Sequence, residues 1–203
     1  RPDRPPSHPN RPAISGKTMY QPSQTSSAAV NPLDLNLRPA QAKDEAFLRA
    51  VHDAGRAWEF EPLKAAGKDD LLAKIYKQQY AAQHDVYFNA FTLAKYAVVE
   101  WCGQPIGRLY ADFRDHEIRI LDLNILPAYR GRRIGEIIVR SLCAQAATEH
   151  KPVTLQVHPL NRARAFYQRL GFAVAGQPAP HSPGAGAFVE MAWHDPATAA
   201  AQA

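Results

Sequence analysis

The chain has 203 residues, 46% of them hydrophobic and 21% charged, which is ordinary globular usage. That length holds one domain of roughly 150 residues with a core of its own. No run approaches the ~18 consecutive apolar residues of a membrane-spanning helix. Cys102 and Cys143 are the only cysteines and form no close pair, which excludes a disulfide framework and a cysteine-rich zinc site. No metal is expected, and the cysteine usage suits a reducing cytoplasm. The net charge of +5 is unevenly spread: residues 1–33 carry four basic side chains against one aspartate, leaving 20 basic and 18 acidic in the other 170. The remainder is nearly neutral, and only Arg130, Arg132 and Arg133 cluster enough to attract a phosphate backbone.

Residues 1–33 contain seven prolines and almost no periodic apolar residues, so they are expected to be disordered. They hold no apolar h-region, which argues against a secretory signal, and repeated proline opposes an amphipathic transit helix. Met19 inside this segment is read as the natural start, the alternative being a functional linker. A single domain is expected over 34–194, with a frayed alanine-rich tail over 195–203. Leu35 to Arg38 reads as a short strand stopped by Pro39. Phe47, Leu48 and Val51 sit at helical spacing in Ala42 to Val51, with Asp44 and Glu45 at its start. A second helix opens at Asp69-Asp70 with Leu72, Ile75, Tyr76 and Tyr80 along one face. Tyr96–Trp101, Ile106–Phe113 and Glu117–Ile125 are strand-like, with Gly103-Gln104 and Asp115-His116 between them, an antiparallel meander. Then come a helix from Ile134 to Glu149, a strand over Val153–Val157, a short helix over Arg162–Leu170, and strands over Phe172–Ala175 and Phe188–Trp193. The order argues for an α/β (α+β) domain: a mixed, mostly antiparallel sheet of about seven strands flanked by helices.

Two segments carry the chemistry. In Ile125-Leu126-Pro127-Ala128-Tyr129-Arg130-Gly131-Arg132-Arg133-Ile134-Gly135-Glu136 a strand ends, a basic loop follows and an amphipathic helix begins. Loop amides and the unpaired first N–H groups of that helix then converge, which makes an anion site suited to phosphate. The bland reading is a solvated basic loop capping an ordinary helix. About 30 residues on, Asn161-Arg162-Ala163-Arg164-Ala165-Phe166-Tyr167-Gln168-Arg169-Leu170-Gly171-Phe172 reads alone as a short helix stopped by Gly171.

Taken in order, the two blocks resemble the GNAT superfamily of N-acetyltransferases. Ile125-x-Pro127 and Arg130-Gly131-Arg132-Arg133-Ile134-Gly135 match its phosphate-loop block, while Asn161, Ala163, Tyr167 and Leu170-Gly171-Phe172 match a later one. Leu37-Arg38-Pro39-Ala40 looks like the family's first strand and helix, so the likeness spans about 35–194. One departure stands out: Arg133 occupies the pattern's central glycine. If that position takes positive φ, the arginine is strained by roughly 1 kcal/mol or more; if not, its guanidinium is free to bind phosphate.

The resemblance implies acetyl-CoA as acyl donor and direct transfer to an amine acceptor in a ternary complex. It assigns cofactor contacts to the strand end Asn124, Ile125 and Leu126, to the loop Arg130, Gly131, Arg132 and Arg133, to the helix start Ile134 and Gly135, and to Asn161 and Tyr167. In this reading Tyr167 gives a proton to the departing sulfur, and the Ile125 N–H binds the thioester carbonyl. The strand carrying Ile125 is expected to splay from its neighbour to admit the pantetheine arm. Asp122, an ionisable group in the apolar run Ile120-Leu121-Asp122-Leu123, is one candidate base; the alternative is a carboxylate bonded to backbone or to an arginine. His158, acting through water, is the other candidate, and its bland reading is a surface histidine. Glu117 reads as a solvated strand-edge residue and Cys143 as structural, while Cys102, before Gly103 at a turn, has no histidine nearby in sequence to activate it. Acceptor walls are implied over Trp58–Phe91 and Gln177–Ala187. The rivals are a non-catalytic CoA-binding module and a nucleic-acid-binding protein using the Arg130–Arg133 run. No membrane partner is expected, and both monomer and homodimer stay open.

Overall fold

The computed structural model of the chain describes residues 31–91, 94–176 and 188–197. Strands β1 (Leu35–Pro39), β2 (Ala94–Trp101), β3 (Gln104–Phe113), β4 (Ile118–Ile125), β5 (Val153–Val157), β6 (Ala173–Gly176) and β7 (Val189–Trp193) form one sheet. Their order is β1-β2-β3-β4-β5-β7-β6, and β4 with β5 is its parallel pair. The helices are α1 (Glu45–Arg56), α2 (Glu61–Ala65), α3 (Asp69–Ala90), α4 (Ile134–Thr148) and α5 (Ala163–Arg169). The expected disordered segment lies outside the described residues up to position 30; Pro32–Asp34 already form a 3-10 turn. The predicted tail over 195–203 and the acceptor wall Gln177–Ala187 also fall largely or wholly outside them.

Pro39 is the last residue of β1 and pairs with Ala97, which an edge strand tolerates. Arg38 then turns the chain into the first helix. Its guanidinium meets Asp44 at 2.6 and 2.8 Å and Glu100 at 2.6 Å. Asp44 also accepts the Gln41 N–H at 2.8 Å, and Arg38 above all holds its carboxyl down to about 2. The helix expected to end near Val51 continues to Arg56, while α2 is an addition to the expected elements.

Each face of the sheet has its own helix layer. Ile134, Ile138, Val139 and Leu142 of α4 pack on Ile118, Ile120, Val153, Leu155 and Met191, all buried. Arg108 and Tyr110 alternate with Leu109 and Ala111 of that core, so they face the other way, toward α1 and α3. A β-bulge shapes the middle of the sheet. Tyr110 pairs with Asp122 but Ala111 with Ile120, which leaves Leu121 as the extra residue. The bulge shifts the alternation by one. Ile118 and Ile120 before it, and Leu123 and Ile125 after it, all join the α4 core, whereas Asp122 turns to the α1 side.

Candidate active site

Beyond the bulge, β4 leaves β5. Their pairing stops at Ile120 and Leu155, although β4 runs on to Ile125 and β5 to Val157. The Leu126 N–H is spent on the Ile106 carbonyl of β3 at 2.9 Å. Successive N–H groups along a strand point to opposite edges, so the Ile125 N–H faces the gap that β5 has vacated. Gly107 lets β3 and β4 run close here, because a Cβ on it would meet the Asn124 carbonyl oxygen at 2.3 Å.

At the end of this gap Pro127–Tyr129 make a 3-10 turn, and α4 begins after Gly131 and Arg133, both at positive φ. The N-cap residue Arg133 gives α4 no side-chain hydrogen bond, so its first-turn N–H groups stand beside the gap without that cap. A Cβ on Gly135 would stand 3.5 Å from Phe166, which brings α5 against the start of α4.

Each of the three loop arginines has a partner within the protein. Arg130 Nε donates to the Ile125 carbonyl at 2.7 Å and its Nη2 to the Ala54 carbonyl at 3.2 Å, tying the end of β4 to α1. Burial, and secondly the nearby Arg162 charge, lower its pKa. Arg132 stacks over Trp101, 5.3 Å from the ring centroid. Arg133 takes φ 63° and ψ 7°, and its guanidinium turns back to Glu136 at 3.1 Å. The left-handed conformation that the family pattern's glycine would serve is thus present, with arginine in it.

Tyr167 stands on α5, 8% exposed, with Phe166 and Phe172 edge-on to its ring at 5.0 and 5.5 Å. Burial, and secondly the Asp122 carboxylate, push its phenol above the usual range, so it carries its proton throughout neutral pH. Asn161 Oδ1 accepts the Ala163 N–H at 2.9 Å and so opens α5, a structural use of its side chain.

Asp122 is the arginine-bonded alternative. It ion-pairs with Arg108, itself 1% exposed, and accepts the Asn124 side-chain amide at 2.5 Å. Losing one member of such a buried pair costs about 3–5 kcal/mol, so the pair is a fixture of the fold. Asn124 is therefore turned toward Asp122, and α1 reaches it only because Gly55 has no Cβ, which would stand 2.4 Å from Asn124 Oδ1. His158 follows β5 directly, its ring 5.7 Å from Trp58 and 6.0 Å from Phe188. Its Nδ1 accepts the Leu160 N–H at 3.2 Å, which leaves the proton of the neutral ring on Nε2. Glu117 corrects its reading as a solvated residue. It is 8% exposed, held by Arg114 at 2.7 Å and by the Thr154 hydroxyl at 2.6 Å. Burial pushes the Cys143 thiol up to about 12, so it is no thiolate.

Sequence reasoning misses Arg108, and it gives Tyr87 and Trp58 no role beyond a place in the acceptor wall Trp58–Phe91. Arg108 leaves a signal, a charge at the centre of the mostly apolar strand-like run Ile106–Phe113; the other two look like ordinary helical aromatics.

Comparison with known proteins agrees with this geometry. A profile of the Acetyltransferase (GNAT) family matches residues 58–172. The uncharacterized protein YyaT of Bacillus subtilis is 27% identical over 104 residues, which is 50% of this chain and 70% of that protein. The PaiA N-acetyltransferase of Thermoplasma acidophilum, solved with coenzyme A, superposes with a TM-score of 0.55 at 16% identity, over 79% of this chain and 99% of that one. An acetyltransferase of Thermus thermophilus gives a TM-score of 0.53 at 17% identity, over 79% of this chain and 97% of that one.

Proposed function

Because the chain belongs to the acetyltransferase (GNAT) family, we propose that it moves an acetyl group from acetyl-CoA directly to an amine. The observation that carries this reading is the open gap between β4 and β5, with the Ile125 N–H turned into it and the start of α4 at its end. Pantetheine takes the place of the missing strand pairing, and the pyrophosphate meets the loop and the first-turn N–H groups of α4. The PaiA relative holds coenzyme A, which accords with the same donor here.

The acceptor nitrogen attacks the thioester carbon, and the developing oxyanion takes a hydrogen bond from the Ile125 N–H. The C–S bond then breaks as the carbonyl re-forms, Tyr167 gives its proton to the thiolate, and the surplus proton on the newly bonded nitrogen returns to the Tyr167 oxygen through water. Before attack an ammonium must lose a proton, since a primary amine near pKa ~10 is mostly protonated at neutral pH. His158 takes that proton through water. Its Nδ1 gives up only a long bond to Leu160 in doing so, whereas both Asp122 oxygens are already engaged. Asp122 stays paired with Arg108 and takes no part in the proton transfer.

A panel of amines, polyamines, amino acids, aminoglycosides and peptides tests the proposal, scored for free thiol release and, by mass spectrometry, for an acetyl group on the acceptor. Acetylation of at least one amine is expected. Saturable acetyl-CoA binding with no transfer to any member would favour the non-catalytic reading.

A further inference from the structure

The bulge in β4 is held by a closed circuit of side chains. Leu121 and Asp122 are its two ends. The Tyr87 hydroxyl on α3 donates to the Leu121 carbonyl at 2.9 Å and accepts from the Gln83 amide at 3.2 Å. Gln83, one turn earlier on α3, presents its other atom, Oε1, to Arg108 Nη2 at 2.8 Å. The same Nη2 reaches Asp122 Oδ2, and Nη1 reaches the Leu48 carbonyl of α1 at 3.4 Å. The path therefore runs from Leu121 through Tyr87, Gln83 and Arg108 back to the neighbouring residue Asp122.

A bulge leaves a backbone carbonyl without its ladder partner, and an orphan of this kind must be satisfied locally. Here α3 does it. Pairing with β5 ends one residue before Leu121, so the circuit grips β4 where the gap opens. We propose that Gln83 and Tyr87 are positioning residues for the donor: with Arg108 they fix the bulge, and thereby the width of the gap that receives it. The proposal rests on the acetyl-CoA reading of that gap. Neither side chain touches a reacting atom, so the effect belongs in donor affinity more than in the chemical step.

The test uses Tyr87→Phe, Gln83→Leu and the double variant, with Tyr96→Phe as a control. Tyr96 donates to the Tyr87 and Phe91 carbonyls at 2.8 and 3.3 Å, so its loss loosens α3 without touching Leu121. Equilibrium titration with acetyl-CoA should show each single variant weakened about 3- to 10-fold, the worth of one or two hydrogen bonds. Because the circuit acts as a unit, the double variant should lie within about twofold of the weaker single. Single-turnover rates at saturating acetyl-CoA should stay near wild type, as should donor affinity in Tyr96→Phe. Unchanged affinity in both singles, multiplying losses in the double, or an equal loss in Tyr96→Phe would overturn the proposal. Binding by the wild-type chain in the same titration separates this failure from failure of the donor assignment itself.

Discussion

Arg133 shows how one residue reports on the loop's geometry. At φ 63° its Cβ crowds the backbone, and its guanidinium binds Glu136 and not the mouth of α4. Arg133→Gly should therefore raise stability by up to about 1 kcal/mol, relief of the left-handed strain less the entropy glycine adds to the unfolded chain. Acetyl-CoA affinity should hold within about twofold, since only an exposed side chain leaves. Lower melting temperature with weaker, less salt-dependent binding would instead make Arg133 a phosphate contact. Tyr167 makes the complementary case. Tyr167→Phe keeps the ring among Phe166 and Phe172, so stability should change by no more than ~0.5–1.5 kcal/mol. Single-turnover transfer should fall about 10²–10⁴-fold with acetyl-CoA still bound, and by less for donors with a more acidic thiol. An unchanged rate would leave Tyr167 as packing alone.

At the scale of elements, α1 carries a buried histidine into the polar layer. His52 is 1% exposed, with Nδ1 2.9 Å from Asp53 and its ring edge-on to Tyr80. Burial chiefly lowers its pKa below 6.5, with Asp53 opposing and Arg108 adding to the shift. The folded state then binds fewer protons than the unfolded one below that value, so stability is lost as pH falls through 6.5. Thermal melts from pH 8 to 5 should show this slope, and His52→Leu should flatten it; parallel curves would place the titration elsewhere. The same layer marks what a sequence hides. Periodicity places β5 to the residue and α4 to within one. The bulge at Leu121 leaves no trace, because Ile120-Leu121-Asp122-Leu123 reads as an unbroken strand. Which face Asp122 takes depends on register with β3, a long-range fact. Short α2, opened by Glu61-Pro62, is too brief to show a period.

For the whole molecule, the architecture is the more legible part. Three hairpin-linked strands followed by alternating helices and strands admit few sheets, and the observed order is one of them. Motifs likewise locate the loop before α4 and Tyr167, because spacing along the chain survives folding. Partners do not: Arg130 on Ala54, Arg132 on Trp101 and Arg108 on Asp122 join residues distant in sequence. In the proposed reading the gap between β4 and β5, ending at α4, receives acetyl-CoA. Titrating the full chain with acetyl-CoA while following its melting temperature tests this most directly. At about 100 times the dissociation constant, mass action adds about 2.7 kcal/mol, a rise of roughly 5–10 °C for a domain of this size. Dephospho-CoA, titrated alongside, reads the share of the 3′-phosphate. A saturable rise of that size is expected; an unmoved melting temperature at millimolar acetyl-CoA would contradict binding in the gap.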